Sequence, residues 1–301
     1  MKVLVLYSLP PLGVEPGRNL LEFDLSEPVR GIAEVLPEAI IAGVRGEAFE
    51  VLRLLSRHQP DVVFNACEAP LGRPEMEAQF AALLELAGVR FTGSRSQTLA
   101  LCRRKDHVKA VLAAAGVRVP RPDVFPCIVK PADEDGSFGI YSDSICEDLE
   151  SLSLACRRLK GPVLVEEFLP GREFAVSLWG AREPDYFSVG ETCFQGGLRL
   201  NTYAAKWDIE SSDFANSPLL YEIDIASDLL CEVIDAARTA WRIVEANGYL
   251  SVDVRIGADG CPGVIDVNPN PELYPGSGIN LAVTGAGWTW EQFIKQQIEW
   301  A

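Results

Sequence analysis

Residues 250–271, LSVDVRIGADGCPGVIDVNPNP, constrain the fold more than any other stretch of the chain. Two runs alternate apolar and polar residues on either side of Asp259-Gly260, the pattern of two strands with one buried face each. Asp-Gly is a favoured central pair for a two-residue type I′ turn, so the segment reads as a β-hairpin. A two-residue turn there sets Asp253 opposite Asp266 and Ser251 opposite Asn268. Ser251, Asp253, Arg255, Asp266 and Asn268 then share one face, while Val252, Val254, Ile265 and Val267 take the other. Pro262 leaves open a register shift of one residue.

Carboxylates opposed across a ladder have Cβ atoms about 5 Å apart and weaken a sheet by up to about 1 kcal/mol unless a cation lies between them. Two such acids with the amide oxygen of Asn268 are hard oxygen donors suited to magnesium; a solvated hairpin face is the alternative. Magnesium held by a few protein oxygens keeps room for phosphate, which calls for lysine and glycine nearby. The chain has only seven lysines against twenty arginines, so lysine is not its default solvating residue. Lys130 ends an apolar run just before ADEDGSFG, Lys206 lies in TYAAKW, and Lys105 lies in RRKDHVK. The glycine loop can cradle phosphate through its backbone N–H groups, or be an ordinary turn; no GKS or GKT follows, so it is not a P-loop. For Lys105 the competing reading is a solvated helix face shared with Arg103 and Arg104.

The rest of the chain frames this hairpin. Val3–Tyr7 and Asp61–Ala66 read as buried parallel strands, and Glu75–Gly88 as a helix with Met76, Phe80, Leu83, Leu84 and Ala87 on one side, together a βαβ-type lobe. Ser96 can cap a helix running to Gly116, and Pro120 with Pro122 marks a boundary. Beyond it come a strand (Cys127–Lys130), a helix (Glu147–Leu159) and strands Val163–Phe168, Glu173–Trp179 and Tyr186–Phe194. A helix over Ile225–Asn247, the hairpin, a Pro/Gly-rich tail and a helix from Trp290 complete the chain. A length of 301 residues suits two or three lobes, here 1–95, 96–171 and 172–301. The net charge of −16 disfavours nucleic acid and anionic lipid as partners, and no apolar run approaches the roughly 20 residues of a membrane span. Met1–Tyr7 is too short for a signal-peptide core, which predicts a cytoplasmic protein whose eight cysteines are free, mostly buried thiols. His58 and His107 have no ligand-spaced partner, against a Ser-His-Asp triad or a zinc site.

Taken in order, these segments resemble the ATP-grasp carboxylate-amine ligases, most closely the D-alanyl-D-alanine ligase branch, over nearly the whole chain. The resemblance implies an α/β ATP-grasp fold: a Rossmann-like N-terminal lobe and two α+β lobes that clamp ATP. It assigns the hairpin to magnesium through Asp253, Asp266 and Asn268. In IVKPADEDGSFGI it puts Lys130 on the nucleotide, and Gly136, Ser137 and Gly139 over the phosphates. VLVEEFLPGREF is similar to the hinge, with Glu166, Phe168 and Leu169 at the base and Glu173 at the ribose hydroxyls. Lys206 in the lid would reach the γ-phosphate, and Lys105 would lie near the phosphates. The implied chemistry is attack of a carboxylate on ATP to give an acylphosphate, then attack of an amine on the acyl carbon.

The departures fall on the substrate side. The family arginine two residues before the first metal-binding aspartate is Ser251 here, the first serine of the glycine loop is Gly136, and the lid tyrosine is Trp207. The His-Gly-x-x-Gly-Glu segment is absent, with Asn65-Ala66-Cys67-Glu68 in its region. Arg255 could supply the missing positive charge, or form a salt bridge to a neighbouring acid. Ser277 sits at the family's spacing for the second substrate's carboxylate, or is a plain turn serine. The expected partners are small-molecule carboxylate and amine substrates, with a homodimer left open. The expected function is an ATP- and magnesium-dependent ligase whose substrate is another amino acid or a peptide. A true D-alanyl-D-alanine ligase and a nucleotide-binding protein without ligase activity are the alternatives.

Overall fold

The structure, a computed structural model, describes residues 1–10, 26–122 and 124–301. Three sheets carry the chain. The first is parallel, in the order β2-β1-β3-β4, from β1 (Val3–Ser8), β2 (Ile40–Val44), β3 (Val62–Ala66) and β4 (Arg90–Phe91). Its strands are continuous apolar runs because both faces are covered. Leu4, Leu6 and Val63 pack with Phe80 and Leu84 of α3 (Glu77–Leu86), alongside Val51 of α2 (Ala48–His58). On the other face Val5 and Phe64 meet Ile32 of α1 (Ser26–Val35) and Phe293 and Ile298 of α11 (Trp290–Trp300). The final helix therefore closes the first sheet as well as its own end of the chain.

The helix expected from Ser96 to Gly116 is two helices, α4 (Ser96–Cys102) and α5 (Lys105–Ala114). Ser96 is not a cap: its N–H and hydroxyl both donate to the Glu85 carboxylate, at 2.9 and 2.6 Å. The break at Arg103-Arg104 is held from outside the helix, where the Lys105 N–H donates to the Ala132 carbonyl at 2.8 Å.

The second sheet, in the order β6-β5-β7, has β5 (Cys127–Pro131) between β6 (Ile145–Cys146) and β7 (Val163–Glu167). The Asp148 side chain caps its helix α6 (Leu149–Arg158) by accepting the Ser151 N–H at 2.8 Å. The third is antiparallel, in the order β10-β9-β8-β11-β12: β8 (Glu173–Gly180), β9 (Tyr186–Thr192), β10 (Leu219–Leu220), β11 (Gly248–Ile256) and β12 (Pro262–Asn268). After the short helices α7 (Tyr203–Trp207) and α8 (Ser212–Ala215), Val233, Ala237, Trp241 and Val244 of α9 (Ser227–Val244) fill its inner face with Val252, Val254, Val264 and Val267. A short α10 (Gly278–Gly285) occupies the Pro/Gly-rich tail. All eight cysteines are free as expected, but only Cys67, Cys102, Cys127 and Cys146 are buried.

The hairpin reaches its expected register by a different route. Gly257 N–H bonds to the Cys261 carbonyl at 2.9 Å and only Gly260 in the loop has positive φ, so three residues, not two, make the turn. Alone, that loop would set Asp253 opposite Ile265. A bulge between Asp253 and Val254 absorbs the extra residue, and Asp253 pairs with Asp266, Val252 with Val267 and Ser251 with Asn268. The expectation for Ile265 is corrected: Val264 takes its core position, and Ile265 turns to the cleft.

Candidate active site

The bulge frees the Ile265 carbonyl from the ladder, and the Lys130 ammonium donates to it at 3.2 Å. Next along the strand, the Asp266 carboxylate accepts twice from the Lys105 ammonium, at 2.7 and 2.9 Å. Lys105 also donates to Asp135 at 3.1 Å, and Asp135 accepts from Arg103 at 2.8 Å. The break between α4 and α5 makes this possible, since it starts a new helix with Lys105 aimed inward while Arg104 turns away to Asp106. Burial alone would raise the Asp266 pKa, but Lys105 and Lys130 hold it far below the usual carboxylate range. Its partner across the rung is unlike it: burial pushes Asp253 up to about 7, with Lys206 opposing and the Asp266 charge adding.

A second charge cluster lies behind Lys130. The Glu166 carboxylate takes Lys130 at 2.8 Å and Lys109 at 2.5 Å, all three side chains buried. One carboxylate cannot neutralise two desolvated ammoniums, and burial draws Lys109 below the usual lysine range. Glu166 is thus engaged with lysines rather than open to a base. Lys109 was missed in the sequence, although it follows Lys105 by four residues and so shares its helix face.

The glycine loop turns on three residues with positive φ, Gly136 (+62°), Ser137 (+60°) and Gly139 (+74°). At Gly139 glycine is required for space too, because a Cβ would come within 2.8 Å of Pro131. Facing it is the lid helix α7 (Tyr203–Trp207), capped by Thr202 through the Ala205 N–H at 3.1 Å. Lys206, on that helix, lines the same cleft as Lys105, Lys130, Asp253, Asp266 and the Gly136-Ser137 turn, in a cavity of about 90 Å³. Glu173 and Arg255 line it as well.

Arg255 has every guanidinium nitrogen engaged: Nη1 donates to Glu173 at 3.0 Å, Nη2 to the Arg199 carbonyl at 2.6 Å and Nε to the Gly171 carbonyl at 3.3 Å. It lies 4.6 Å from the Phe168 ring centroid and 5.2 Å from that of Phe194, a stacked cation. These contacts support the salt-bridge alternative for Arg255. Phe168 and Leu169 are buried beneath it, and the Phe168 N–H is spent on the Pro126 carbonyl at 2.8 Å.

Gly139, Glu166, Phe168, Leu169, Asn268 and Ser277 do not line the cleft. Ser277 is buried and its hydroxyl is the N-cap of α10, accepting the Asn280 N–H at 3.4 Å. That cap accounts for the turn-serine alternative and leaves the hydroxyl hydrogen free to donate. Asn268 faces Ser251, and its Oδ1 accepts the Asn270 N–H at 2.9 Å, which leaves one lone pair for a metal. Among the described residues no group of three His, Cys, Asp or Glu makes a ready cage. Magnesium suits this arrangement, since it is commonly held by one or two carboxylates together with phosphate, and Asp253 is a desolvated carboxyl short of cationic partners.

The sequence also gave no sign of the acids gathered where β3 and the hairpin's end approach. Asn270 Nδ2 donates to Glu77 and its Oδ1 accepts from the Tyr249 hydroxyl at 2.9 Å. Burial raises Glu77 to about 8 and Glu68 to about 7, with Glu68 adding to the first and Glu272 to the second.

The family described as D-ala D-ala ligase C-terminus matches residues 102–299. A D-alanine--D-alanine ligase from Gloeobacter violaceus is 28% identical over 270 residues, covering 82% of this chain and 84% of that protein. An uncharacterised protein of Sinorhizobium fredii, y4sG, is 27% identical over 250 residues, covering 78% and 72%. Among solved structures, the ATP complex of D-alanine--D-alanine ligase from Bacillus anthracis superimposes with a TM-score of 0.74 at 18% identity, covering 99% of this chain and 96% of that one. VanG D-Ala:D-Ser ligase from Enterococcus faecalis gives 0.74 at 18%, covering 100% and 99%. With two thirds of its length in the family match and the same fold over nearly the whole chain, this chain is a member of the D-alanyl-D-alanine ligase family, with the ATP-grasp fold.

Proposed function

We propose that the cleft binds ATP with magnesium and joins a small-molecule carboxylate to an amine through an acylphosphate. The observation that carries this is the opposition of Asp253 and Asp266 in the same cleft as Lys105, Lys130 and Lys206. Asp253, Asp266 and Asn268 would hold magnesium, which when bound supplies positive charge to the phosphates. Lys105 and Lys130 add fixed positive charge beside them, and Gly136 and Ser137 of the glycine loop line the same space. Lys206 comes from the lid side, where it stabilises charge on the transferred phosphoryl group. Glu173, which lines the cleft and shares its carboxylate with Arg255, serves the nucleoside end. With little covalent work for the protein to do, positioning and electrostatics account for the rate.

The substrate pair is an amino acid or peptide other than D-alanine with D-alanine. Ser251 is too short to act as a guanidinium, and Arg255 on that strand face has each of its three nitrogens held by Glu173 or a backbone carbonyl. A developing oxyanion without its donor loses about 3 kcal/mol, or a hundredfold in rate, so D-alanine should be a poor substrate. The test is a matrix of carboxylate and amine pairs read by ADP release and product mass. Release of ADP with formation of an amide-linked product supports the ligase; no ADP above background for any pair favours a nucleotide-binding protein without ligase activity. Efficient D-alanyl-D-alanine synthesis would overturn the substrate assignment alone.

A further inference from the structure

The cleft face of the third sheet changes character rung by rung along β11. Arg255 pairs with Glu173 at one end, and on the next rung of that face Asp253 stands between Asp266 and Ala175. One rung further, Ser251 has Asn268 on one side and Ser177 on the other, and Ser177 pairs in turn with Ser188. Beyond them the face closes with Tyr249, Trp179 and Tyr186. Three hydroxyls thus stand in line across three strands, two residues or about 7 Å along the sheet from the carboxylate rung.

The fold gives this row nothing to bond. Among the described residues none of the three hydroxyls has a hydrogen-bond partner, although Ser177 is only 3% exposed. Buried hydroxyls are ordinarily paired, because an unpaired one forfeits its hydration. Ser251, Ala175 and Ser188 beside it are half-buried, so the strip is not sealed. Its far end is walled: a Cβ on Gly190 would come 3.1 Å from the Tyr221 ring, and the Tyr221 hydroxyl donates to the Gly278 carbonyl of α10 at 2.8 Å. The order of the rungs sets the occupant. With the nucleoside at the Glu173 rung and the phosphates at the aspartates, the next rung falls to the molecule that takes the phosphoryl group.

We propose that Ser251 and Ser177, with Ser188 at the far end, are specificity residues for the carboxylate substrate, and that this substrate carries a neutral side-chain group that both donates and accepts hydrogen bonds, a hydroxyl or a carboxamide. Each serine offers one donor and two lone pairs; an apolar side chain would leave the row unpaired, an ammonium could use only its acceptors and a carboxylate only its donors. The proposal rests on the ligase reading and deepens its substrate class. It is tested by kcat/KM, read as ADP release with magnesium and a common set of amines, for near-isosteric carboxylate substrates: threonine against valine and glutamine against methionine, in both configurations. The parent, Ser177→Ala and Ser251→Ala are compared. The parent should favour the hydrogen-bonding member of a pair by about tenfold or more, and each variant should narrow that preference about three- to tenfold, the worth of one net hydrogen bond. Ser177→Ala removes an unpaired hydroxyl, so its Tm should hold or rise, which separates lost preference from lost folding. A parent without this preference, a preference that both variants leave unchanged, or ADP release confined to carboxylates lacking such a group overturns the subsite while the ligase reading stands. No ADP release from the parent with any carboxylate overturns both.

Discussion

The cleft and the acidic seam beside it place carboxylates in the interior by opposite means. At the phosphate end each buried acid but one is matched: Asp266 with Lys105, Glu166 with Lys130 and Lys109, Glu173 with Arg255. At the seam Glu77 has an amide donor, Asn270, and Glu68 and Glu272 are raised by burial with only Lys206 opposing at Glu272. A matched acid stays ionised when desolvated, while an unmatched one gains a proton. Asp253 belongs by position to the cleft and by its raised pKa to the seam, which is why it is the carboxylate ready for a cation.

The difference is broken or sharpened most strongly at the two aspartates. Asp253→Asn and Asp266→Asn should each lower ligase turnover by a hundredfold or more, on the scale of losing an electrostatic stabiliser. Their unliganded stabilities should diverge. Asp253→Asn removes a destabilised carboxyl and should hold or raise Tm; Asp266→Asn leaves the buried Lys105 with Asp135 alone and should cost up to about 3 kcal/mol. Equal thermal shifts in the two variants would remove the distinction. Arg255→Ala comes next. It strands Glu173 in the interior and should cost about 3 kcal/mol of stability by chemical denaturation, whereas an unaltered midpoint with abolished turnover would restore Arg255 to the chemistry.

Smaller effects belong to single contacts. Lys130→Ala should weaken binding of a nonhydrolysable ATP analogue about tenfold or more by calorimetry, the worth of one charge-assisted contact; unchanged affinity would take it out of the site. The seam should show in pH dependence. Glu77 and Glu68 have folded pKa values above the ordinary glutamate range, so between about pH 4.5 and 8 the native state binds more protons than the unfolded chain and stability falls as pH rises. Glu77→Gln keeps an acceptor for Asn270 and should flatten this fall; a slope identical to the parent's would show that Glu77 ionises freely in the fold.

The cleft's residues were legible where chemistry is local. The Asp253–Asp266 rung follows from alternation around a turn, and it survives a wrong turn type because a one-residue longer loop is offset by a one-residue bulge. Lys130 and the glycine loop were visible because a strand runs straight into them. What was not legible depends on contacts from elsewhere. RRKDHVKAV carries no glycine or proline, and the break that aims Lys105 is imposed by the Ala132 carbonyl of another segment. The short strand Ile40–Val44 and the helix Gly278–Gly285 were passed over, the first for its brevity and the second because Pro275-Gly276 reads as loop. The Trp207–Gly136 contact and the Glu68, Glu77 and Glu272 seam join segments far apart in the chain, so no spacing announces them. No helix among the described residues is long and apolar enough to cross a membrane.

The most direct test of the central claim follows the oxygen. The productive carboxylate substrate is labelled with ¹⁸O in its carboxyl group and turned over with ATP, magnesium and the amine, and the released phosphate is analysed by mass. Attack of that carboxylate on the γ-phosphate, then displacement by the amine, predicts one ¹⁸O in each phosphate formed. Phosphate carrying only ATP and solvent oxygen, with ADP still released, would contradict ligation through an acylphosphate.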